Sequence, residues 1–108
     1  MPKILYTVRA TLPTIQLRGR FLAWLVPDHI LAVKAGGAER VRVVLPDRAA
    51  ENAPATVETQ YEFPSRKAFE TYLRDHAPGL RADGLRHFPP ETGIGYERQV
   101  AEVAAELD

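Results

Sequence analysis

The sequence predicts an α+β domain of order β-α-β-β-α-β, in which a four-stranded antiparallel sheet carries both helices on one face. Three observations carry that prediction. Four runs alternate with period 2, two capped stretches with helical spacing fall after the first and third of these runs, and one polar loop separates the middle pair. This is the ferredoxin-like arrangement.

The first strand runs from Lys3 to Leu12. Ile4, Tyr6, Val8, Ala10 and Leu12 share one side, and Leu5, Thr7, Arg9 and Thr11 share the other. Pro13-Thr14 then opens a helix with Thr14 as N-cap, and Leu17, Phe21, Trp24 and Leu25 recur at helical spacing. Pro27 interrupts it, because the ring clashes with the Ala23 carbonyl and offers no amide hydrogen. A kink or restart is expected there, with Asp28 to Ala35 as the second half and Gly36-Gly37 closing it.

The second strand covers Arg40 to Leu45 and Pro46 stops it. Asp47 to Pro54 is the polar loop, and Ala55 to Phe63 forms the third strand, so the pair reads as a hairpin with a long tip. Ser65 caps the next helix, with Pro64 and Phe69 placed for a hydrophobic staple and Ala68, Phe69, Tyr72, Leu73 and His76 on one face. Pro78-Gly79 breaks that helix, and Leu80, Gly84, Leu85 and Phe88 mark a further short one ended by Pro89-Pro90. Gly93 to Val103 is the last strand. The tail, residues 101–108, is expected to add at most a helical turn.

At 108 residues with 45% hydrophobic content, the chain fits one domain, residues 1–108. Fourteen basic residues balance fourteen acidic ones, which removes the electrostatic attraction behind non-specific nucleic-acid binding. No apolar run approaches the roughly 18–20 residues of a membrane span, and Met1 to Leu12 reads as a strand instead of a signal sequence. A cytoplasmic location without membrane partner is therefore expected. Cysteine is absent, which excludes disulfides, thiolate nucleophiles and cysteine-based zinc sites.

The runs Leu22-Ala23-Trp24-Leu25, His29-Ile30, Gly36-Gly37, Tyr61-Glu62-Phe63 and His76-Ala77-Pro78-x-Leu80-Arg81 resemble a family of small bacterial proteins of unknown function in the dimeric α+β barrel superfamily. The resemblance extends from Tyr6 to about Val100 and implies a homodimer joined through its sheet faces. It implies no activity. Pro27 departs from the uninterrupted helix usual at that place, which leaves the orientation of His29 open. The superfamily also includes cofactor-independent monooxygenases, haem-degrading enzymes and small-molecule-binding regulators that use a cleft between helices and sheet, an analogy at the level of fold.

Five residues are candidates for a ligand pocket: Arg9, Trp24, His29, His76 and Arg98. Arg9 and Arg98 lie on the first and last strands, where an inward guanidinium needs an anionic ligand or a carboxylate such as Glu58, Glu62 or Glu97. His29 follows the Pro27 break and either lines a cleft or bonds nearby backbone; His76 ends a helix, where capping is the alternative. Trp24 serves the core, a dimer interface or ligand stacking. Tyr6, Tyr61, Tyr72 and Tyr96 each combine a buried ring with a hydroxyl that could reach a cleft. The histidines lack the i, i+4 spacing of a helical zinc pair, so neither metal nor cofactor is expected. The leading expectation is a homodimeric module that binds a small organic molecule. An oxygenase or isomerase using His29 or His76 as base or haem ligand comes second, and a purely structural interaction domain third.

Overall fold

The computed structural model describes residues 2–108. Strand β1 (Ile4–Leu12) is one of the two inner strands of the sheet. It pairs antiparallel with β3 (Ala55–Phe63) on one side and with β4 (Gly95–Glu102) on the other, and β2 (Arg40–Val44) pairs antiparallel with β3, giving the order β2-β3-β1-β4. The order and directions are those of the ferredoxin-like fold anticipated from the alternation.

One face of the sheet is covered by helices α1 (Ile15–Trp24), α2 (Ile30–Ala35), α3 (Arg66–Asp75) and α4 (Ala77–His87). Both predicted caps are in place. The Thr14 hydroxyl accepts from the Leu17 amide at 3.1 Å, and the Ser65 hydroxyl accepts from the Ala68 amide at 3.1 Å, satisfying amides that the first helical turn leaves without partners.

The inward residues of β1 and β3 supply the floor of the core. Ile4, Leu12, Ala55 and Phe63 are fully enclosed, and Phe63 packs on Phe69 and Tyr72 of α3 with ring centroids 5.2 and 5.1 Å away. A second cluster, around Leu17, Phe21, Leu25 and Phe88, seals the sheet under α1. Thr59 is the exception on the inward face of β3, a buried polar residue in the series Ala55, Val57, Thr59, Tyr61, Phe63.

Three expectations are corrected. Pro27 does not break its helix: residues Leu25–His29 form a single π-helical turn that joins α1 to α2 without interruption. The Ile30 amide bonds back to the Leu25 carbonyl, and the wider turn accommodates a residue that has no N–H to give. Pro78-Gly79 likewise lies inside α4, in its first turn, where a missing amide hydrogen costs nothing, so the only break between α3 and α4 is His76. Ala101 and Glu102 belong to β4, and the chain beyond forms no helical turn; the Val103 amide instead donates to the Lys3 carbonyl at 2.9 Å.

Among the described residues no helix covers the opposite face of the sheet. It carries a polar chain across three strands: Arg42 donates to the Gln60 side chain at 2.8 Å, Gln60 donates to Glu58 at 2.9 Å, and Arg9 donates to the other Glu58 oxygen at 2.8 Å. Arg9 and Gln60 together hold the Glu58 carboxyl below its ordinary pKa.

Candidate functional site

Between helices and sheet lies a cavity of about 310 Å³, at the lower end of the roughly 300–1,000 Å³ typical of ligand sites. Its floor is the helix-side face of β1, β3 and β4, and its walls are α1, the π-helical turn and α4. It exists because α4 stands off β4: Tyr96 and Val100 on that strand keep 38% and 44% of their surface exposed although they point to the helix side.

Trp24, His29 and Arg98 line this cavity together. Trp24 and His29 stack at a centroid separation of 4.4 Å and 28° between planes. His29 is largely buried, its Nδ1 is enclosed with no hydrogen-bond partner, and burial pushes its pKa below the ordinary value against a smaller opposing pull from Asp83. Arg98 sits opposite Val8 in the ladder and therefore on the helix side, with its guanidinium carbon 5.4 Å from the centre of the Tyr96 ring.

Arg9 and His76 do not line the cavity. Arg9 pairs with Glu97 and Glu58 in register, on the opposite face of the sheet, and is held by Glu58 in the ion pair that was the alternative for it. His76 is exposed at the end of α3, where its ring packs flat on Tyr72, 6.5 Å between centroids, and against Gly36. Its amide donates to the Tyr72 carbonyl, so its place is that of a helix-terminating residue.

Arg81 and Thr59 also reach the cavity and were not among the five candidates. Both had a signal. Arg81 occupies the apolar stripe of α4 with Ala77, Gly84 and Leu85, and Thr59 interrupts the apolar side of β3. Tyr6, Tyr61, Tyr72 and Tyr96 complete the polar lining, as their rings and hydroxyls suggested. Burial pushes Tyr72 up to about 12, while the charges of Arg81 and Arg98 act in the opposite sense. Tyr61 and Tyr96 are also raised by burial, so these phenols remain protonated donors at neutral pH.

No lining residue is acidic, and among the described residues neither Arg81 nor Arg98 is paired with a carboxylate. The described residues also contain no group of three or more histidine or acidic side chains able to hold a metal ion.

Residues 3–99 match the profile of DUF4286, a domain of unknown function. The chain belongs to the DUF4286 family. No curated protein matches this DUF4286 chain. Among solved structures it is similar to a dimeric ferredoxin-like protein from an uncultured marine organism, with 17% identity, a TM-score of 0.72, and 99% of this chain and 100% of the other covered. SnoaB, a cofactor-independent oxygenase from Streptomyces nogalater, aligns at 13% identity and a TM-score of 0.64 over 99% and 98% of the two chains. An EthD-like protein from Ralstonia eutropha aligns at 18% and 0.64 over 95% of each. At these identities the likeness establishes the ferredoxin-like fold of the DUF4286 chain. No helix among its described residues is long and apolar enough to cross a membrane.

Proposed function

We propose that this domain is a homodimeric module that binds a small organic anion in the cavity between its helices and sheet. The observation that carries the reading is that Arg81 and Arg98 both line a cavity that has no carboxylate in its lining. Both are exposed residues of the cavity lining and neither has an acidic partner among the described residues, so each guanidinium is free to make a charge-assisted hydrogen bond to an anion from outside the chain. The cavity also weighs against a purely structural role, for which helices packed tightly onto the sheet would be the mark.

The dimer is supported by the uncovered sheet face, whose Arg9, Arg42, Glu58 and Gln60 side chains are already held in position, and by the dimeric state named for the marine ferredoxin-like protein. Native mass spectrometry of the protein from its own host, read at the dimer mass and at any non-covalent excess, tests both halves. A monomer, or a domain whose melting temperature responds to no organic anion, contradicts the reading. Where an anion does stabilise the wild type, Arg98→Ala should abolish that stabilisation and leave the dimer intact.

An oxygenase or isomerase acting on a bound anion is the second reading, favoured by the phenolic hydroxyls and the imidazole at the same cavity and by the shared fold with SnoaB. Oxygen uptake on quinol-like substrates tests it. No uptake, together with no Soret shift on haem titration, removes it.

A further inference from the structure

His29 decides what kind of anion the cavity suits. Its Nδ1 is enclosed and has no partner. A neutral imidazole has one donor nitrogen and one acceptor nitrogen, and a buried N–H without an acceptor is rarer than an under-satisfied acceptor. The enclosed Nδ1 is therefore the bare nitrogen, and Nε2 carries the hydrogen. Desolvation keeps the ring uncharged at neutral pH. With the Tyr61, Tyr72 and Tyr96 hydroxyls protonated and the bare Nδ1 of His29 enclosed, the cavity presents hydrogen-bond donors and no accessible base.

We propose that the cavity is a receptor for a planar aromatic carboxylate bearing a second oxygen: the carboxylate meets Arg81 and Arg98, the ring lies on the apolar wall of Phe21, Trp24 and Leu80, and His29 donates its Nε2–H to the second oxygen. This rests on the anion-binding reading and adds the ligand class and the direction of the histidine hydrogen bond. It assigns His29 a donor role in place of the base role it has in the oxygenase or isomerase reading. Such a site holds an oxyanion without removing a proton from it.

The test uses three probes on the whole chain: 1-hydroxy-2-naphthoate, 2-naphthoate and 2-naphthylmethylamine. Binding is followed by calorimetry, with quenching of Trp24, the sole tryptophan, as the site-specific report. Both carboxylates should bind and the amine should not. Arg98→Gln should weaken both carboxylates on the order of tenfold, the scale of a lost charge-assisted hydrogen bond. His29→Phe keeps an aromatic ring beside Trp24 and should weaken the hydroxynaphthoate several-fold while leaving 2-naphthoate nearly unchanged, and His29→Gln, which restores an N–H, should recover part of the loss. Long-range nitrogen–hydrogen spectra of the imidazole should place the hydrogen on Nε2 in the free protein.

A hydrogen on Nδ1, or equal hydroxynaphthoate binding by wild type and His29→Phe, overturns the donor assignment and leaves the anion reading standing. Binding of the amine as tightly as the carboxylates, or of neither carboxylate, overturns both.

Discussion

The Trp24 and His29 rings stack face to face across five residues of chain, 4.4 Å between centroids. In an α-helix, residues three and four apart share a face and residues five apart do not. The π-helical turn Leu25–His29, with Pro27 at its middle, changes that spacing. The turn thus brings an imidazole onto an indole at the edge of the cavity. Pro27→Ala restores an amide that can donate to the Ala23 carbonyl in ordinary α-helical register. Stability should then rise, by up to about 3 kcal/mol, while the nuclear Overhauser contacts between the two rings disappear. Their persistence in the variant would show that packing, and not the proline, sets the turn.

The burial of His29 gives stability a pH dependence of defined sign. Its folded pKa lies below the ordinary 6.5, so the unfolded chain takes up a proton that the folded site resists. The full stability is present above about pH 6.5, declines as the pH falls below it, and levels off once the pH is under the folded value. Asp83 on α4 is the charge that opposes the shift, and it is outweighed by desolvation. Urea unfolding of wild type and His29→Phe across this range should show the variant losing less stability in acid. Parallel curves would sink the assignment.

Phe63 is fully buried at the end of β3, beneath two aromatic rings of α3. Phe63→Ala should cost about 3–5 kcal/mol, a large share of the roughly 5–15 kcal/mol available to a domain. Leu107, fully exposed in the tail, serves as the control, and Leu107→Ala should leave the urea midpoint unchanged.

Two glycines separate close packing from open space. A Cβ at Gly36 would lie 3.1 Å from both the Tyr72 and His76 rings, and Tyr72 is wedged against Phe63 and Phe69. Gly36→Ala should therefore destabilise by about 1–3 kcal/mol. At Gly84 the nearest atom is in Trp24 at 3.5 Å, an ordinary contact, and the position is interior to α4. Gly84→Ala should stabilise by roughly 0.5–1 kcal/mol through helix propensity. Thermal melts of the two variants should move in opposite directions; shifts of the same sign would mean that the space around one of these positions is misjudged.

Arg9→Ala offers a check on the two faces of the sheet. Its ion pair with Glu58 is half-exposed and remote from the cavity, so the change should affect anion binding no more than experimental error. Loss of binding in this variant would place the ligand on the outer face and remove the helix-side cavity from consideration.

The sequence by itself determined the order of strands and helices, both N-caps, and the division of β1 and β3 into an apolar and a polar side. Those features are local: a period of two, a Thr14 or Ser65 hydroxyl three residues before its amide, a proline at a strand end. It also brought forward three residues that line the cavity, Trp24, His29 and Arg98. It could not separate them from Arg9 and His76, because alternation shows that Arg9 and Arg98 each lie on some face of a strand and not which face the helices cover. That assignment came from the ladder, which sets Arg98 against Val8 and Arg9 against Glu58 and Glu97. The π-helical turn was hidden for a related reason. Pro27 announces a disturbance, but whether the helix breaks or widens depends on the packing of Leu25 and Val33 into the core on either side of it. Only the tertiary structure fixed the cavity itself, since a space between α4 and β4 is a property of how far apart two elements stand, and no spacing along the chain encodes that distance.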